Sequence, residues 1–337
     1  MSWVDALPGA EIENGVVRSF AGELNEAEAL AHGTVISPLS QFGLIRFRGE
    51  ETGTFLQGQL SSDVRQLETG LAQYSSYSTP KGRMLASFLV FRMGDDYLLQ
   101  ISRDLQAAIQ KRLSMFVMRS KTKADDASTE IALIGVAGQH AAAAVKAVAG
   151  DVPVADFAHH AWSQGVVLAL PNGRFEMAVA AQEVPAVWQA LQQAGATPVG
   201  EPVWRLSEVR AGTPWITAST QEEFVPQMAN MELIGAVSFN KGCYPGQEIV
   251  ARTQYLGKLK RRMYRVRVEA EVTAGQDVFS PEMNGQASGK IMLAAPVGKG
   301  TSEALVVVQT SSLEHGLHLG EVSGPQVQVL DLPYEVA

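Results

Sequence analysis

Apolar residues recur along this chain at two spacings, one of strands and one of helices. From Gly43 the run GLIRFRG alternates apolar and polar positions, as a half-buried strand does. Gly49 ends it ahead of a short helix in ETGTFLQGQ. Two later stretches repeat one plan. In the first, MLASFLVFR, a turn at Gly94-Asp95 and YLLQIS lead into the helical spacing of RDLQAAIQKRLSMF. In the second, GVVLALP, a turn at Asn172-Gly173 and RFEMAVA lead into EVPAVWQALQQAG. Asn-Gly between alternating apolar runs is a strong hairpin signal, and Gly195 sits where that helix should be capped. A further helix, GQHAAAAVKAVAG, ends at Gly150. The strand–strand–helix repetition suggests two α+β halves of ferredoxin-like type. Residues 1–35 hold few apolar repeats and read as a loosely packed lead with a short helix around Leu24–Ala31.

After Arg252 the texture changes. RRMYRVRVEA, DVFSPEM, ASGKIMLAAPV, EALVVVQT and VQVLDLPYE are short strands set between Gly, Pro and Asn. Evenly spaced short strands suggest a small β-barrel. The expected architecture is therefore α+β: a duplicated ferredoxin-like region over residues 1–250, then a C-terminal β-barrel over residues 251–337.

Composition narrows the function classes. Hydrophobic residues make up 46% of 337 positions and charged residues 18%, the balance of a soluble globular chain with a full core. A net charge of −8 argues against a general nucleic-acid binder. The one cysteine, Cys243, excludes a disulfide framework, a Cys-x-x-Cys zinc site and a private iron–sulfur cluster, which needs several thiolates. Six histidines show no metal-binding spacing, and His159-His160 reads as part of a polar loop rather than a ligand pair. No metal site is expected. The N-terminus lacks a basic, then apolar leader, and no run of ~18 apolar residues exists to span a membrane. The cytoplasm is the expected compartment. No Gly-x-Gly-x-x-Gly follows a strand and no phosphate loop of Walker type is present, so NAD and ATP are not expected ligands.

The densest chemistry lies in KGCYPGQEIVAR, Lys241 to Arg252. Gly242 and Gly246 free the backbone around Cys243 while Pro245 stiffens it. Lys241 and Arg252 bring positive charge, which favours a thiolate. Gln247 and Glu248 add an amide and a carboxylate. A lone cysteine is usually a small core residue, but one set between glycines and ionic residues is expected to be exposed and reactive.

Lys-Gly-Cys-Tyr-x-Gly-Gln-Glu followed by Arg resembles the signature of the YgfZ-type folate-binding proteins, relatives of the glycine-cleavage T-protein, an aminomethyltransferase. RAGTPWIT with EFVPQMANMELIGAVSFNKGCY, and FRGEETGTFLQGQLSSDVRQL further upstream, match that family in order and spacing. The resemblance covers roughly residues 40–265. It implies a folate-binding region, with tetrahydrofolate or a related reduced folate as cofactor, and a C-terminal barrel. It also implies a role in iron–sulfur cluster assembly or repair and in iron–sulfur-dependent tRNA modification. Transient partners would be iron–sulfur assembly or client proteins; direct contact with tRNA is left open. Cys243 is then the functional thiol. Tyr244 falls within the signature with Lys241, Gly242, Gly246, Gln247, Glu248 and Arg252.

By the same resemblance, two aromatics contribute to the folate pocket: Phe42, seven positions before Gly49, and Trp204, eight before Gly212. Phe42 keeps a stacking face but has no indole donor. The chain departs from the T-protein where that enzyme relies on an aspartate. The corresponding positions in KGRMLASFLVF are Ala86 and Ser87. The pterin-contacting carboxylate position is held by Arg210, with Glu208 nearby but out of strand phase. Without these acids no group is evident to orient an amine-bearing intermediate. The expectation is an accessory protein rather than a conventional enzyme; the alternatives are a folate-dependent aminomethyltransferase or demethylase, or a folate-independent thiol protein or interaction scaffold. The cations from Lys258 to Arg267 suit either a solvated strand face or a basic rim for a glutamyl tail or RNA phosphates.

Overall fold

The computed structural model describes residues 3–20, 23–257 and 259–336; Lys258, which opens the basic run, lies outside them. Contacts divide the chain into two compact units, each drawn from separated stretches. One comprises Met1–Phe55, Arg65–Gln73 and Leu89–Trp204; the other comprises Leu56–Val64, Tyr74–Phe88 and Arg205–Ala337.

In the first unit the two expected hairpin–helix repeats are present. Strand Gly165–Leu170 turns through Asn172 and Gly173, both at positive φ (65° and 67°), into strand Arg174–Ala180. Two left-handed residues match the right-handed twist of the flanking strands. Helix Val184–Gln193 follows, and Gly195 beyond its end takes a φ of 91°. These strands lie in a six-stranded sheet with His159–Trp162, Ile131–Gly138, Thr34–Pro38 and Thr197–Pro198. The last two pair in parallel and the rest antiparallel. Helices Ala141–Ala149 and Val184–Gln193 bury Ala144, Val145, Val187, Trp188 and Leu191 in one core with Ile134, Val136, Phe175 and Met177. The apolar face of each helix, spaced at i, i+3 and i+4, is what this sheet covers. In the other repeat, strand Asp96–Ser102 pairs with the end of Met84–Met93 and with Phe42–Arg48. It leads into helix Arg103–Phe116, whose Leu105, Ile109 and Leu113 are buried.

The N-terminal lead differs from expectation. It is folded: Val4, Leu7 and Val17 are buried, and Leu7 joins the core under the six-stranded sheet. Few apolar residues suffice there because Leu7 fills a site on an existing core, with Trp3, Ala10 and Phe20 packed against the same core. The helix expected around Leu24–Ala31 spans Glu23–His32.

The second unit ends in a closed six-stranded barrel, in the order Arg261–Val268, Thr301–Gln309, Ala287–Gly298, Asp277–Phe279, Leu317–Leu319, Gln326–Leu330. Val266, Ile291, Val306, Val308 and Val327 fill its interior. Strand Leu317–Leu319 is an addition to the five expected strands, set between Gly316 and Gly320 with no longer alternating run around it. The signature helix Gln247–Leu256 and the strands Gln73–Ser78, from Tyr74 on, and Met84–Met93, up to Phe88, belong to the same unit. Among the described residues no helix is long and apolar enough to cross a membrane.

Candidate functional site

Helix Gln247–Leu256 starts at Gly246, whose φ of +84° places it in the left-handed region. Glycine enters that region without the Cβ penalty of other residues. The same residue is tightly crowded. A Cβ on Gly246 would meet the carbonyl oxygen of Thr79 at 2.6 Å and the Cα of Gly82 at 2.9 Å. Gly82, itself at φ +73°, meets Ile249 of the helix in the same manner. The turn is further closed by Gln247: its backbone N–H donates to the Tyr244 carbonyl, and its side-chain oxygen accepts from the Tyr244 N–H at 3.3 Å. Tyr244 is buried, and burial pushes its phenol up to about 12.

Lys241 anchors the other end. Its Nζ donates to the carbonyls of Leu60 (2.6 Å) and Ser62 (2.7 Å) and sits 5.2 Å from the centre of the Tyr244 ring. The segment it grips is itself tied down. Ser61 Oγ donates to the Ala236 carbonyl and accepts from the Ser76 N–H, Ser62 Oγ donates to Ser75, and the Ser238 N–H donates to the Ser61 carbonyl. Gln57 holds the end of this segment through Asp63 and the Val64 N–H. Charge-assisted bonds to two carbonyls are strong, so the lysine fixes the turn as well as charging its surroundings. The Gln-Leu-Ser-Ser-Asp block carried family resemblance in the sequence, but nothing local in it pointed to Lys241.

Between these anchors Cys243 is exposed, and Gly242 has open space around it. Glu248 and Arg252 are exposed, one turn apart on the helix. Among the described residues they form no ion pair with each other. The thiol is thus presented by a rigid turn rather than packed into a core.

The positions where the T-protein pattern calls for acids are filled in this unit by structural contacts. Ala86 is fully buried, and Ser87 Oγ accepts the Ile216 N–H at 2.9 Å. Arg210 pairs with Glu303 of the barrel. Glu208 lies on helix Glu201–Arg210 rather than on a strand, so strand phase does not apply to it; helical spacing governs the stretch that opens at Glu201. Its carboxylate is buried and accepts from Trp215 Nε1 at 2.8 Å.

In the first unit, Phe42 opens its strand and lines a cavity of about 360 Å³ together with Trp3, Arg103, Gln106, Asp126 and Ser128. That volume is at the lower end of the roughly 300–1,000 Å³ of small-molecule sites. Trp204 is 2% exposed. It packs against Gly135, where any side chain would collide with the indole, and the Arg174 guanidinium lies 5.6 Å from its ring centroid. A ligand reaches Trp204 only by displacing such covers.

His159 and His160 lie on strand His159–Trp162 rather than in a loop, so their side chains point to opposite faces. Burial, then Arg92 and His160, lowers the pKa of His159. Among the described residues no group of three His, Cys, Asp or Glu is arranged to hold a metal.

The GCVT N-terminal domain family matches residues 17–241. The glycine cleavage system aminomethyltransferase T of Bartonella henselae shares the fold, with a TM-score of 0.80 over 96% of this chain and 94% of that one at 17% identity. A protein of Sodalis glossinidius called tRNA-modifying protein YgfZ is 32% identical over 90% of this chain and 93% of its own length. Its namesake in an Enterobacter species is 30% identical over 90% and 94%. Identity at this level across nine-tenths of both chains, on a T-protein fold whose acidic positions are filled by structural contacts, places this protein in the YgfZ family within the wider GCVT group.

Proposed function

We propose that this protein binds a reduced folate and supports iron–sulfur-dependent tRNA modification, with Cys243 as its functional thiol. The observation that carries the reading is the presentation of Cys243: exposed, on a turn locked at one end by Lys241 and at the other by Gly246. A thiol held this way meets a partner or a cluster without unfolding. The cluster is substrate or cargo, since one cysteine cannot hold it alone. Its partners are iron–sulfur assembly or client proteins met transiently in the cytoplasm.

For the folate, Phe42 offers an apolar face and Asp126 a carboxylate acceptor in one cavity, the pairing that suits a flat, polar-edged heterocycle. Ala86 and Ser87 supply no carboxylate to an amine-bearing intermediate, so the folate is bound without aminomethyl transfer. Titration calorimetry with tetrahydrofolate is expected to show one site, weakened at least tenfold in Phe42→Ala with the melting curve still cooperative. Turnover of glycine-derived or methylated amine donors to methylene-tetrahydrofolate above background would instead favour the transferase or demethylase reading. Wild-type protein that binds no reduced folate would end the folate reading outright.

A further inference from the structure

The second unit holds a cavity of about 570 Å³ beside the signature helix, lined by the apolar Val225, Met228 and Ile249 and by the polar Lys260, Arg261 and Gln309. The cations that follow Lys258 sort into two kinds. Arg262 pairs with Glu232, Arg265 with Glu303 and Arg267 with Glu269. Lys260 and Arg261, the two that face the cavity, have no carboxylate partner among the described residues, and the Gln309 amide makes no hydrogen bond there either. In a chain of net charge −8, two uncompensated cations against an apolar wall mark a local anion site rather than a general basic surface.

We propose that this cavity takes one nucleotide unit of single-stranded RNA. The base lies against Val225, Met228 and Ile249, the phosphate meets Lys260 and Arg261, and the Gln309 amide, both donor and acceptor, meets a base edge. Ile249 also packs against Gly82, which abuts Gly246, so the bound strand is held next to the turn that presents Cys243. The assignment rests on the tRNA-modification reading for its choice of RNA, and it concerns residues that the folate reading does not use.

The test is fluorescence anisotropy with a short labelled single-stranded RNA and with AMP as competitor. The Lys260→Ala/Arg261→Ala double variant is expected to bind the RNA at least tenfold more weakly. Its log–log salt slope should be shallower by about 0.7, the value for one phosphate contact on a single strand. Lys111→Ala/Lys146→Ala, which removes two exposed cations of the first unit, should bind as the wild type does. Met228→Ala should weaken binding without changing the salt slope. AMP that displaces the RNA at comparable concentration identifies a free nucleotide as the source of the same chemistry; AMP that competes only in large excess identifies the strand. Wild-type protein that fails to bind, or a double variant that binds like wild type, overturns the assignment. Tetrahydrofolate calorimetry on the double variant is expected to be unchanged, which keeps failure here distinct from failure of the folate reading.

Discussion

Gly82 and Gly246, 164 positions apart in the sequence, approach so closely that a Cβ on Gly246 would lie 2.9 Å from the Cα of Gly82. Both have positive φ, +73° and +84°. The contact seats the start of the signature helix on the turn Thr79–Gly82, and it sets the geometry in which Cys243 is shown to solvent.

Gly246→Ala is therefore expected to destabilise the protein by more than the about 1–2 kcal/mol of a left-handed non-glycine residue, because the methyl also meets backbone that cannot swing aside. Gly242, in the same motif, has ordinary φ and nothing within 4 Å of an added Cβ. Gly242→Ala should stay within about 0.5 kcal/mol of wild type. Urea denaturation of the pair checks this, and equal midpoints would refute the packing role of Gly246.

Lys241→Met keeps the stem but leaves the carbonyls of Leu60 and Ser62 without their shared donor. A loss of about 1.5–3 kcal/mol is expected, the scale of hydrogen bonds to a charged group. Faster amide hydrogen exchange should be confined to residues 60–62 and the turn. A variant as stable as wild type would mean that the lysine is retained for its charge and not for its grip.

Cys243 should react with a thiol reagent in the native state, one equivalent per chain and without denaturant, because it is exposed. Cys243→Ala should change stability by no more than about 0.5 kcal/mol while lowering iron–sulfur-dependent tRNA modification in cells. Full modification in that strain would reduce the motif to a structural clasp.

The barrel provides a pH-dependent test. Burial alone would raise the Glu303 carboxyl, but Arg210 and Arg265 outweigh it and hold it below the usual carboxylate range. A carboxyl lowered in the folded state stabilises above its unfolded value and loses that contribution as pH falls through its folded value. Glu303→Gln, which leaves two arginines facing an uncharged amide, should be clearly less stable than wild type at pH 7. The gap should narrow steadily below pH 4.5, the ordinary value for the group. A constant gap from pH 7 to pH 3 would show that the pair contributes no charge-dependent stability.

The periodic elements were legible because their signals are local. Asn172-Gly173 between alternating runs, the i, i+4, i+8 spacing of Leu105, Ile109 and Leu113, and the closely spaced strands after Arg252 all appear where the pattern placed them. The exposure of Cys243 was legible for the same reason, since Gly242 and the ionic residues of the motif offer it no apolar side chains to pack against. Tertiary structure decided the rest. Lys241 finds its acceptors 181 and 179 positions away, Arg210 finds Glu303 at a separation of 93, and Trp204, on a helix, is covered by Gly135 and Arg174 from two strands. No local spacing encodes such partners, because chain closure brings them together only once both elements have formed. The same holds for Lys260 and Arg261: six neighbouring cations look alike in sequence, and only folding determines which of them meet a carboxylate.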